Sequence, residues 1–194
     1  MAEAYPPEVK ARMDALVAGV EAALGRGIDG LGWMGAATRA RAREKLSAVE
    51  NKVGYPKVWR DYSAVKVDRS DLHASVSSAV AFEFGRQLAK IGRPVDRGEW
   101  YMTPPTVNAY YDPSMNTINF PAGILQLPFF DGRRDPAANY GGIGGVIGHE
   151  LIHGFDDAGR RFDAKGNLTD WWTSEDSKAF DSRADCVADQ YAAY

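Results

Sequence analysis

Apolar side chains recur at three- and four-residue steps along much of this chain, the period of a helix with one buried face. Val9, Met13, Leu16, Val17, Val20 and Leu24 mark the first such stretch, and Pro6-Pro7-Glu8 opens it as prolines open a first helical turn. A second helix is predicted from about Gly35 to Val53, rich in Ala, Arg, Lys and Glu and closed at Gly54 ahead of Tyr55-Pro56. A third opens with Ser70 as its cap, carries Leu72, Val76, Val80, Phe84, Leu88 and Ile91, and ends at Gly92. His73, in its first turn, reads as a surface histidine.

After Arg93-Pro94 the pattern changes. Thr106–Tyr111 and Thr117–Phe120 read as short strands around a turn at Asp112–Asn116, a hairpin with an edge open to an extended peptide. The run Phe120–Phe130 is too apolar for a surface loop, so it is expected to pack beside the site and wall a pocket. From Gly141 to Asp157 apolar residues cover nearly every face, as in a buried helix. Phe162–Leu168 reads as a turn punctuated by Gly166-Asn167. Thr173-Ser174-Glu175-Asp176 has the form of a capping box and starts a last helix, with Phe180, Ala184, Val187 and Tyr191 on one face. The fold class that follows is mainly α with a small β-hairpin or sheet, α+β.

Inside the buried helix lies His149-Glu150-Leu151-Ile152-His153, an H-E-x-x-H pattern. Helical positions i and i+4 share a face about 6 Å apart along the axis, so two imidazoles there can reach one tetrahedral Zn²⁺. Glu150 points around the helix from that face and suits a base acting on a water held by the metal. Asp156 follows His153 by three residues and can hydrogen-bond the far nitrogen of that ring. The glycines at 141, 142, 144, 145, 148 and 154 each cost about 1 kcal/mol against Ala in a helix interior. Close backbone approach to a neighbour is the expected compensation.

Composition narrows the alternatives. The chain has 194 residues, 45% hydrophobic and 25% charged, with a net charge of −3. It carries no basic run for nucleic acid and no apolar run of the roughly 18 residues a membrane span needs. A single cysteine, Cys186, makes no internal disulfide. Lys165 breaks any calcium-loop spacing around Asp163, and Ile147 stands where a dinucleotide fingerprint needs its third glycine.

Together, Val107-Asn108-Ala109-Tyr110-Tyr111, Phe120-Pro121-Ala122-Gly123-Ile124-Leu125-Gln126, Asn139-Tyr140-Gly141-Gly142-Ile143-Gly144, the H-E-x-x-H pattern and Asp170-Trp171-Trp172 resemble the neprilysin and endothelin-converting enzyme family. Trp33-Met34 and Val53-Gly54-Tyr55-Pro56 extend the resemblance upstream. It implies a zinc endopeptidase or oligopeptidase of small peptides with a thermolysin-like core. His149 and His153 would be zinc ligands, Glu150 the general base and Asp156 the carboxylate behind the second ligand. Asn108 and the Ala109 backbone would hold the peptide, with Val146, Phe129 and Phe130 near the pocket for its hydrophobic side chain. The resemblance also implies a location outside the cytoplasm.

The chain departs from that family after the motif. Relatives draw a third zinc ligand from an E-x-x-x-D motif, and none occurs in the 41 residues after His153. The downstream His and Arg that stabilise the oxyanion in relatives are missing too, as is the partner of the cysteine matching Cys186. The expectation is therefore an excised piece, with a helical region at 1–95 and the front of a truncated catalytic domain at 96–194. Such a piece would hold zinc weakly or not at all and be inactive. Two alternatives stand beside it: a complete thermolysin-type site with Glu175 as third ligand, and a non-catalytic peptide-binding module.

Overall fold

The structure is a computed structural model that describes residues 6–194. Helix α1 spans Pro7–Asp29 and α2 Ala36–Ser47; strand β1 is Glu50–Gly54, and α3 is Leu72–Leu88. The hairpin strands are β2, Tyr110–Asp112, and β3, Thr117–Pro121. A short α4, Pro136–Asn139, runs through a π-helical turn at Tyr140–Gly144 into α5, Gly145–His153, and α6 is Ser174–Ala192. The mainly helical build with one small sheet is the α+β class that the patterning predicts.

Two compact units divide the chain, one from the segment up to Tyr55 together with Met102–Tyr194, the other from Pro56–Tyr101. In the first, the sheet order is β1-β3-β2, with β1 parallel and β2 antiparallel to β3. All five residues of β3 are buried. Met13 and Val17 of α1, Ile118 and Phe120 of β3, and Ile147 and Leu151 of α5 form the centre of the core. Thus α1 and the sheet clamp α5.

Strand β1 corrects the second predicted helix, which stops at Ser47. Residues Glu50–Gly54 pair with Thr117–Pro121 instead. That partner is distant in sequence, so local helical periodicity carries no trace of it. Helix α3 is shorter than predicted and is capped by Asp71, whose side chain accepts from Ala74 N, rather than by Ser70. Its predicted core stripe is exposed throughout, Leu72 at 78% and Phe84 at 64%. The segment before it lies on another face, where the Ser75 and Ser78 hydroxyls accept from Asp68 N and Lys66 N and Phe82 meets Tyr62.

The π turn has a visible cause. Ile143 N–H donates to the Phe129 carbonyl at 2.8 Å, and a Cβ on Gly142 would strike that same oxygen. Gly154 likewise abuts the Tyr111 ring. Gly141, Gly145 and Gly148 face open space, so close approach accounts for only part of the expected glycine pattern.

Candidate metal centre

Helix α5 places His149 and His153 one turn apart, and their rings meet edge to face with centroids 4.6 Å apart. The two Nε2 atoms are 3.0 Å apart. Two nitrogens bound to one tetrahedral zinc at about 2.0–2.1 Å lie roughly 3.3 Å from each other, so the pair is near ligand spacing. His153 Nδ1 faces Asp156 Oδ2 at 3.0 Å. With a proton on Nδ1, His153 presents its Nε2 lone pair to the cleft. The present ring contact is then an N–H···N bond with His149 as donor, which a metal replaces.

Asp156 is itself fixed. Its Oδ1 accepts from Gly159 N at 2.7 Å and Ala158 N at 3.0 Å, which leaves Oδ2 for the histidine. Glu150 is 6% exposed. Burial raises its pKa above the usual carboxylate range, opposed by the neighbouring imidazoles and by a hydrogen bond from the Tyr111 backbone. A cleft of about 480 Å³ is lined by His149, Glu150, His153 and Asp156 on one side and by Asn108 to Tyr111 on the other. The edge strand and the motif therefore share one cavity.

Other residues singled out in the sequence lie elsewhere. Phe130 is 2% exposed in the core, Phe129 and Val146 pack against that core, and none of the three lines the cleft. The Phe129 carbonyl is engaged by Ile143, which holds this segment on the helix before the motif rather than at the cleft. Glu175 is exposed on the first turn of α6. Among the described residues no group of three or more His, Cys, Asp or Glu side chains is placed to hold a metal ion. The two imidazoles and their carboxylate fit zinc, but Glu175 does not join them.

Sequence reasoning missed Lys45. It is 1% exposed, and its Nζ donates at 2.7 Å to both the Gly159 and Phe162 carbonyls. The rings of Tyr111, Phe155 and Trp171 surround it at 5.7–5.8 Å. Burial pushes its pKa down to about 8, against the pull of Asp156 and Asp163. Its two carbonyl acceptors lie more than a hundred residues away, and no local signal marks them.

Comparison with known proteins supplies the family. A family model described as peptidase family M13 matches residues 108–194, and a second with the same description matches residues 1–56. The chain belongs to peptidase family M13. It is 37% identical to an endothelin-converting enzyme homolog of Locusta migratoria over 99% of its own length and 27% of that protein. Against neprilysin of Homo sapiens the identity is 38%, over 97% of the chain and 26% of that protein. A crystal structure of the Mycobacterium tuberculosis zinc metalloprotease with an inhibitor superposes with a TM-score of 0.91 at 54% identity, over 96% of this chain and 28% of that one. The chain thus spans about a quarter of the length of the relatives it matches. No helix among the described residues is long and apolar enough to cross a membrane.

Proposed function

We propose that this sequence supplies the H-E-x-x-H part of the site of a zinc-dependent M13 peptidase that hydrolyses small peptides outside the cytoplasm. The observation that carries the reading is one cleft holding the paired His149 and His153 Nε2 atoms, Asp156 behind the second ring, Glu150 beside them and an edge strand opposite. His149 and His153 would hold Zn²⁺, which supplies Lewis acidity to a peptide carbonyl and to water. Glu150 takes the proton of the attacking water and passes it to the leaving amine. The substrate backbone lies along Asn108–Tyr111 by strand addition. Ala109 N–H is already bonded to Asn108 Oδ1 at 2.9 Å, so the Ala109 carbonyl is the group that receives a substrate N–H.

The test is Glu150→Gln in the full-length gene product. Peptidase activity is expected to fall by about 10²–10⁴-fold or more while zinc content stays unchanged, because a proton-transfer group is removed and no ligand is. Loss of zinc in step with activity would make Glu150 a ligand and overturn the assignment.

A further inference from the structure

We propose that Lys45 is a positioning residue for the metal centre, holding the turn after the metal helix so that Asp156 orients His153; this rests on the zinc reading above. The connection is a chain of short polar contacts. Lys45 Nζ donates to the Gly159 carbonyl at 2.7 Å. The Gly159 amide donates to Asp156 Oδ1 at 2.7 Å. Asp156 Oδ2 faces His153 Nδ1 at 3.0 Å. The second Lys45 bond, to the Phe162 carbonyl, is shared with Trp171 Nε1, which donates to the same oxygen at 3.0 Å. Both ends of the Gly159–Phe162 turn are therefore held from one point.

The cation is an expensive way to fill this space. A buried ammonium loses hydration that two carbonyls and three ring faces only partly replace, and a methionine would occupy the volume without that cost. What methionine cannot do is donate to the carbonyls at 159 and 162. The first of those acceptors belongs to Gly159, whose own amide grips Asp156 Oδ1 together with that of Ala158, the residue before it. With Oδ1 committed, Oδ2 is the oxygen left to select the Nδ1–H form of His153 and leave Nε2 for metal. The turn has little freedom to find this arrangement otherwise, since a Cβ on Gly159 would overlap the His153 carbonyl and the Gly154 backbone. Lys45 also reaches the other wall of the cleft. Its main-chain carbonyl accepts from Asn116 Nδ2 at 3.1 Å, and Asn116 Oδ1 accepts from the Tyr111 hydroxyl at 2.9 Å. One residue of α2 thus braces the turn behind the metal helix and the strand facing it.

The experiment uses the 194-residue chain and Lys45→Met. Tautomer populations of His153 are read by long-range ¹H–¹⁵N NMR without metal, and zinc affinity by chelator competition. The expected result is a change from one Nδ1–H tautomer to a mixture and a zinc affinity weaker by about ten-fold, the low end of what loss of an outer partner costs. Lys45→Met combined with Asp156→Asn should bind no more weakly than Asp156→Asn alone, because both act through one contact. An unchanged His153 tautomer, or two effects that multiply in full, overturns the proposal. Should Lys45→Met fail to fold, Lys45→Leu, which likewise has no donor, is judged by the same outcomes. In the unchanged chain, coupling across the hydrogen bonds from Lys45 ¹⁵Nζ to the carbonyl carbons of 159 and 162 is expected, and its absence refutes the contact. Failure of the zinc reading shows separately, as absence of zinc at His149 and His153 in every variant, while the metal-free tautomer still reports on Lys45.

Discussion

Asp156 uses both carboxylate oxygens, two backbone amides on one and an imidazole on the other. Asp156→Ala removes the group that selects the His153 tautomer and is expected to weaken zinc binding by about 10- to 100-fold, measured by chelator competition. An unchanged affinity would reduce Asp156 to a helix-end carboxylate. At this scale the motif was legible, because His149, Glu150, His153 and Asp156 lie within one helix and the turn after it. The Asp156 grip on the amides two and three residues ahead came only from the structure, though it follows the common habit of Asp in turns. Lys45 was not, since nothing in the basic run Arg39–Lys45 separates the one buried cation from the solvated ones. The placement of Phe129, Phe130 and Val146 also depends on which face of a packed segment meets the cleft, and an apolar run hides that choice.

Among the elements, α2 and α6 are joined through the Asp176 side chain. Asp176, at the third position of α6, accepts from the Gly35 amide at 2.8 Å and from the Thr38 hydroxyl, both at the start of α2. It accepts from the Thr173 hydroxyl as well, while Thr173 caps α6 by accepting from Asp176 N. The capping box was readable from four residues, but the second helix it serves was not. Helix α2 has no capping side chain of its own, and its amide donor finds a carboxylate more than a hundred residues on. The Thr38 bond, the Gly35 and Thr173 bonds and the charge of Arg39 hold the Asp176 pKa below the usual carboxylate value. A group whose pKa falls on folding adds stability above its unfolded pKa of about 3.8, and that stability is lost as pH drops through the folded value. Asp176→Asn is therefore expected to cost about 1–3 kcal/mol at pH 7. In urea titrations across pH, the gap between the two chains should narrow below about pH 4. A gap that stays constant into acid would show that the carboxylate charge is not what joins the helices.

Over the whole molecule, the helical period and the environment it promises come apart. The apolar stripes on α3 and along α6 were read correctly as one-sided, yet Val80, Phe84, Val187 and Tyr191 are all exposed. Periodicity reports that a face is apolar and says nothing about what covers it. The same holds at the metal centre, where two ligands and their support are present and no third joins them among the described residues. Two neutral imidazoles bring no negative charge to offset the metal, so zinc is expected to bind the 194-residue chain weakly enough to be removed by dialysis. The chain should cleave no peptide even with zinc added.

Zinc titration of this chain beside four variants decides whether His149 and His153 hold the metal. At saturating zinc about one ion per chain is expected in the unchanged protein, the number two converging imidazoles can hold, and it is lost again on dialysis. His149→Ala and His153→Ala should each abolish uptake, while Glu150→Gln and Glu175→Ala should leave it in place. Zinc retained after loss of either histidine, or released by Glu175→Ala, would show that the two imidazoles are not its ligand set.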